Sequence, residues 1–255
     1  MKKILITNDD GYESAGLLAL VETMREIASV TVVAPSTEKS ACGHSITLTR
    51  PLTFVSVDDD FYKLDDGTPS DCIYLALHSL FEDQKPDLVI SGINRGSNMG
   101  EDITYSGTAA AAMEAVLHDV PAIAISQVLD FSNPIEDYTL ATRSIKEIVM
   151  KIFDGKFPLD QREFLNINIP KDTKEISFEV THAGYRYYGN DAHLHRNPRG
   201  VEYYWLGLHP LEYKERQHKD TICDFKAVES GLVSITPIKL DLTAYDSTQR
   251  LKEWL

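Results

Sequence analysis

Cysteine is scarce and unpatterned in this chain. Its three thiols, Cys42, Cys72 and Cys223, are odd in number and widely spaced, and no CxxC occurs. That excludes a disulfide framework or a zinc knuckle as the basis of the fold. Long apolar runs are missing too: nothing approaches the ~20 residues that a membrane-spanning helix needs. The start, Met1-Lys2-Lys3, leads into a strand and a turn rather than an apolar leader with a cleavage site. A cytoplasmic protein with no membrane partner is therefore expected. Basic residues are outnumbered, 25 Lys and Arg against 39 Asp and Glu, for a formal net charge of -14. Affinity for a phosphate backbone comes from clustered cations, so a nucleic-acid polymer is not expected as the main partner. A small phosphorylated molecule stays open, because a local metal ion or a helix N-terminus binds phosphate even on an acidic protein. There is neither an internal repeat nor a low-complexity linker.

What is present is a rhythm of short β-branched runs and amphipathic stretches. Ile4-Leu5-Ile6, residues 30–34, Leu88-Val89-Ile90 and residues 121–126 read as buried parallel strands. Between them lie a helix carrying Leu17, Leu20, Val21 and Met24, a helix opened by Pro69, and an alanine-rich helix from Thr108 to Leu117. Residues 45–48, 52–57 and 61–64 read as extended, with Asp58-Asp59-Asp60 as a hairpin tip. Such alternation implies an α/β, doubly wound, mostly parallel sheet with right-handed crossovers. With 255 residues there is room for one large domain. We read residues 1–170 as its α/β core and 171–255 as extended β-rich arms, since the strand-helix rhythm ends near Pro170. In that last part residues 185–189 and 201–208 have strand texture, 193–199 read as a loop, 221–229 as a helix and 233–237 as a strand.

Four loops carry groups capable of chemistry. Asp9 and Asp10 follow the first strand and precede Gly11. In open α/β sheets ligands sit at the carboxyl ends of strands, and paired hard oxygen ligands suit Mg²⁺, Mn²⁺ or Ca²⁺ better than Zn²⁺. The plain alternative is a helix cap beside a solvated acid. Ser91-Gly92-Ile93-Asn94-Arg95-Gly96-Ser97-Asn98 follows a later strand; its asparagines offer an amide oxygen to a metal or an amide nitrogen to phosphate, or merely occupy turns. Ser106-Gly107-Thr108 opens the alanine-rich helix, which makes an anion site or an ordinary cap. Residues 36–45 supply Ser40, Lys39, Cys42 and His44; a hydroxyl ligand, a cation for phosphate, a thiol nucleophile and an acid-base histidine are the sharp readings, and a solvated loop the plain one.

Taken in order, TNDDGYESAG, VVAPSTEKSACGHSITLTRPL, DGTPSDCIYLAL and PDLVISGINRGSNMGEDITYSGTAAAAMEA, with weaker LNINIP and VSITPI, resemble the SurE (survival protein E) family over nearly the whole chain. The resemblance implies a Rossmann-like core with carboxyl-terminal arms exchanged in homodimers or homotetramers. It implies a divalent-metal-dependent phosphatase acting on nucleoside 5′-monophosphates, with 3′-nucleotides and short polyphosphate as further substrates. It also implies one metal ion per subunit, Mg or Mn, held by Asp9, Asp10, Ser40 and Asn94, and a phosphate site at Asn98, Ser106, Gly107 and Thr108. Glu38-Lys39 stands where that family often has Asn-Arg, and His44 stands where it usually has a small residue, which bears on substrate preference. The mechanism this implies is metal-assisted hydrolysis in which Asp9 and Asp10 are catalytic and the general base is unassigned. A covalent aspartyl-phosphate is the rival enzyme reading. A nucleotide-binding regulatory module without turnover is the rival of another class.

Overall fold

The protein is described from a computed structural model, covering residues 1–129, 136–171, 173–188, 191–207 and 212–255. The chain runs β1 (Lys3–Thr7), α1 (Ala15–Arg25), β2 (Ser29–Pro35), β3 (Phe54–Asp58), β4 (Phe61–Leu64), α2 (Pro69–Ser79), β5 (Leu88–Arg95), α3 (Gly107–Leu117), β6 (Ala122–Gln127), α4 (Thr139–Asp154) and β7 (Glu163–Ile169). It continues with β8 (Phe178–His182), β9 (Tyr185–Tyr187), β10 (Asp191–Arg196), β11 (Glu202–Gly207), β12 (Glu212–Lys214), β13 (Ile222–Cys223), α5 (Asp224–Glu229), β14 (Val233–Lys239) and α6 (Tyr245–Trp254).

Ten strands form one sheet in the order β13-β8-β14-β7-β6-β5-β1-β2-β4-β3. Pairings from β7 through β6, β5, β1 and β2 to β4 are parallel, whereas β14 on β7 and β3 on β4 are antiparallel. Successive side chains of a strand point to opposite faces, so each strand feeds two cores. Ile4 and Ile6 join Leu17, Leu20 and Met24 of α1 and Ile145 and Val149 of α4 on one face. Leu5 and Val89 join Ile73 and Ala76 of α2 and Ala112 and Ala115 of α3 on the other. The alanines of α3 let it lie close to the sheet, so its first turn is held rigidly over the strand ends. Helix starts are chemically marked: Ser14, Thr68 and Ser106 cap α1, α2 and α3, and Thr68 with Asp71 makes a full capping box.

Several expectations change. The stretch from Ser91 to Asn94 belongs to β5, not to a loop, because Gly92 takes φ 139° and a Cβ there would lie 2.3 Å from the Ile125 carbonyl oxygen. Only glycine lets the strand bulge against β6 and continue. Residues 45–48 form no strand. The basic stretch expected as a loop is largely β10, which pairs antiparallel with β11 from Asp191 opposite Gly207 to Arg196 opposite Glu202. Its polar residues alternate with Ala192 and Leu194, and a hairpin exposed on both faces tolerates that. The helix expected over 221–229 begins as β13 and turns helical only at Asp224. The boundary near residue 170 does not coincide with the edge of the sheet, since β14, β8 and β13 extend it. Gly189 and Leu208, ends of two expected strands, lie outside the described residues. Among the described residues no helix is long and apolar enough to cross a membrane.

Candidate active site

Strands β1, β2 and β5 are parallel neighbours, so the loops after them open on one edge of the sheet. Asn8 ties the first loop together: its amide donates to the Gly11 carbonyl at 2.9 Å and to the Ser14 hydroxyl at 2.7 Å. This fixes the turn that presents Asp9 and Asp10.

The two acids have different surroundings. Asp9 is 3% exposed and accepts a short hydrogen bond from the Thr108 hydroxyl at the start of α3. Burial raises its carboxyl to about 6 from an ordinary 3.8; Thr108 works against that rise, and the Asp10 charge adds to it. Asp10 is partly open and accepts the Arg95 backbone N–H at 2.9 Å. Burial raises its carboxyl as well, with Glu38 and Glu136 adding to the rise and the Arg95 N–H opposing it.

The second loop is pinned to the first by Lys39 N–H donating to the Asp9 carbonyl at 2.7 Å. It carries the Ser40 hydroxyl, which donates to Glu38 at 2.7 Å. From β5, the Asn94 amide nitrogen donates to the Gly96 carbonyl at 2.7 Å, leaving its oxygen as the group on offer. The fourth element is the start of α3. Ser106 uses its oxygen to cap Ala109 N–H at 3.0 Å, and Gly107 packs so close that a Cβ would fall 2.8 Å from Asp9 Cβ and 3.1 Å from Cys42 Sγ. Asn98 is buried beside Ser126, to which its amide nitrogen donates at 2.8 Å.

Asp9 thus contacts α3 directly, and Asp10 lies against the β5 terminus. The second loop joins them through its backbone and the Glu38 charge. Two mutually repelling carboxylates in a desolvated place are hard oxygen donors of the kind that suit a divalent cation, and the loop after β2 and the end of β5 carry a hydroxyl and an amide oxygen of the same character. The same carboxylates stand beside the positive end of a helix, where an anion would find N–H groups.

Two candidates find other partners, and a third, Cys42, is disfavoured by its surroundings. Lys39 Nζ pairs with Asp66 at 2.9 Å, not with an open phosphate position. His44 Nε2 meets Glu114 of α3 at 2.6 Å, and His118 meets the same carboxylate at 2.9 Å. Burial works to raise Glu114, but the two histidines outweigh it and hold the carboxyl below its usual range. For Cys42, burial and then the Asp9 charge push the thiol up, which works against a thiolate nucleophile. Sequence reasoning missed Arg95, Ser126, Asn166 and Asn168 as neighbours of the site. The one signal available was two asparagines, two residues apart, in an otherwise apolar strand.

The family described as survival protein SurE matches residues 4–190. The chain is 65% identical to 5′-nucleotidase SurE of Sulfurimonas denitrificans, covering 99% of this chain and 98% of that one. It is 60% identical to 5′-nucleotidase SurE of Helicobacter hepaticus, covering 100% and 99%. Its fold is similar to the crystal structure of the SurE protein from Aquifex aeolicus, with a TM-score of 0.81, 38% identity and 99% coverage of both chains.

Proposed function

The chain belongs to the SurE family, and on that premise we propose that it is a 5′-nucleotidase, a phosphatase that hydrolyses nucleoside monophosphates with a bound divalent ion. The observation that carries this reading is the Asp9–Asp10 pair at a strand end, with Asp9 buried against the first turn of α3 and Asp10 bonded to the end of β5. Asp9, Asp10, Ser40 and Asn94 would hold one Mg²⁺ or Mn²⁺ per subunit. That ion supplies Lewis acidity toward the phosphoryl oxygens and lowers the pKa of a nearby water.

The chain's own groups do the rest. The backbone N–H of Gly107 and the dipole of α3 attract the phosphate and stabilise charge on its oxygens in the transition state. Ser106 has committed its oxygen to the cap but keeps a hydroxyl hydrogen for the anion. Thr108 holds Asp9 in place, so its hydroxyl serves the carboxylate before the phosphate. Asn98 contributes a side-chain N–H, its other amide hydrogen being bound to Ser126. Asp9 orients water rather than accepting its proton, since a carboxylate engaged by a cation is a weak base. Nucleoside 5′-monophosphates are the primary substrates of this reading, with 3′-nucleotides and short polyphosphate as extensions.

The three unpaired thiols suit the reducing cytoplasm. The exposed aromatic side chains of β11, including Tyr204 and Trp205, suit a homodimer or homotetramer interface. The test is phosphate release from nucleoside monophosphates in EDTA, then with Mn²⁺ or Mg²⁺ restored. Turnover that requires the ion is the expected result. Nucleotide binding without turnover under all conditions would favour a regulatory module instead.

A further inference from the structure

Asn166 and Asn168 are wholly buried in β7, opposite Thr236 and Ser234 of β14 and Ala124 and Ser126 of β6. Buried amides are costly unless they are bonded, so their partners say what they are for. Residues two apart on a strand share a face, and both reach the same peptide unit. Asn166 Nδ2 donates to the Asn98 carbonyl at 2.8 Å, and Asn168 Nδ2 donates to that carbonyl at 3.0 Å. The Asn98 N–H in turn donates to Asn168 Oδ1 at 2.8 Å. Ser126, opposite Asn168 in the β6–β7 register, accepts the Asn98 side-chain amide at 2.8 Å. Every polar group of the Asn98 backbone is therefore occupied, and one side-chain hydrogen is as well.

This has a consequence for the anion site. Asn98 lies in a connection between β5 and α3 that has no ladder of its own to fix it. Its main chain has nothing left to offer a ligand, so any contact with phosphate is made by the side chain alone. The direction of that side chain is set by β6 and β7.

We propose that Asn166 and Asn168 are positioning residues for phosphate recognition, acting through Asn98. The inference rests on the reading of Asn98 as a phosphate contact. Loss of Asn168 leaves the Asn98 N–H buried without its acceptor, and loss of Asn166 leaves the Asn98 carbonyl with one donor in place of two, so the loop shifts to find water. The reacting phosphate then loses a pre-aligned donor, while Asp9 and Asp10, held by other elements, keep their places.

The experiment is a double-mutant cycle of Asn98→Ala and Asn168→Ala in the full-length, metal-loaded protein. Its readouts are KM and kcat for a nucleoside monophosphate, inhibition by inorganic phosphate, and the Mn²⁺ concentration giving half activity. Asn168→Ala is expected to raise KM and the phosphate inhibition constant about 10-fold, with kcat and the Mn²⁺ requirement within about twofold. In the Asn98→Ala background it should add less than about twofold, since coupled residues do not add. Should Asn168→Ala not fold, Asn168→Ser, which keeps a small hydrogen-bonding group, replaces it in the cycle. Ile167→Ala, on the opposite face of β7, should lower stability without moving KM, and a KM shift there equal to that of Asn168→Ala overturns the proposal. Equal effects of Asn168→Ala with and without Asn98, or no change in KM and phosphate inhibition, also overturn it. If Asn98→Ala alone changes neither, the phosphate role of Asn98 falls and the proposal falls with it. An impaired Asn98→Ala beside an unimpaired Asn168→Ala removes only the proposal.

Discussion

Leu5 in β1 is fully buried, whereas Leu251 in α6 is 55% exposed. The first lies in a strand flanked on both sides by parallel neighbours and covered by α2 and α3. The second lies in a helix none of whose residues is buried against the described part of the chain. The same side chain has opposite fates because the amino-terminal two thirds complete their burial within the subunit. The carboxyl-terminal tail does not: Leu242, Tyr245, Trp254 and Leu255 are exposed as well. The candidate active site belongs wholly to the completed region. Asp9 there is held by a buried partner, Thr108, so it can be kept in an unfavourable electrostatic arrangement. The tail has no such support, and its apolar side chains stay exposed among the described residues.

Four changes probe this contrast. The largest effect is expected from Asp10→Asn, which removes one charge from the supported site. Turnover should fall by orders of magnitude while the thermal midpoint is retained, and chelation of divalent ions should do the same to the unmodified protein. Full activity in EDTA would break the contrast at its centre.

Next comes pH. In the metal-free protein Asp9 holds its proton to about pH 6, whereas an unfolded aspartate releases it near 3.8. Between those values the folded state binds more protons than the unfolded one, so this group's contribution to stability falls as pH rises through that window. The loss is about 3 kcal/mol once pH exceeds the upper value. Denaturant unfolding from pH 4 to 8 should show the slope, Asp9→Asn should flatten it, and a divalent cation should restore stability at neutral pH.

Gly107→Val places carbon where Asp9 and Cys42 already stand. It should raise KM about 10-fold and weaken vanadate or phosphate inhibition in step. Steady-state kinetics read both.

The smallest effect on subunit stability is expected in the tail. A chain ending at residue 240 lacks α6 and should unfold within about 0.5 kcal/mol of the full protein, since nothing of α6 is buried. Sedimentation of the same variant should shift toward a smaller assembly. A stability loss comparable to that of a core substitution would erase the contrast.

Apart from residues 45–48, which form no strand, the strand-helix order through residue 127 was legible because each core strand is a short β-branched run and the helix starts at Ser14, Thr68 and Ser106 carry capping residues. The hairpin tip at Asp58-Asp59-Asp60 was legible as well, since three adjacent acids are tolerated only in solvent. The extension of β5 through Gly92 was not. A glycine between Ser91 and Asn94 looks like a loop until the Ile125 carbonyl is found against it. Nor was α6, whose apolar residues meet no core among the described residues to declare which face they serve.

For the site, the sequence determined its chemistry: adjacent carboxylates at a strand end, an amide, a hydroxyl and a helix start rich in small residues. Those are local properties, written in neighbouring residues and in the order of elements. Only the tertiary structure decided that Thr108 holds Asp9, that His44 pairs with Glu114, that Lys39 turns to Asp66, and that two asparagines of β7 clamp Asn98. Each of those partnerships joins residues on different elements, by a hydrogen bond or ion pair that works only at contact distance. Sequence order sets which groups exist, and packing of the sheet and its helices sets which of them meet.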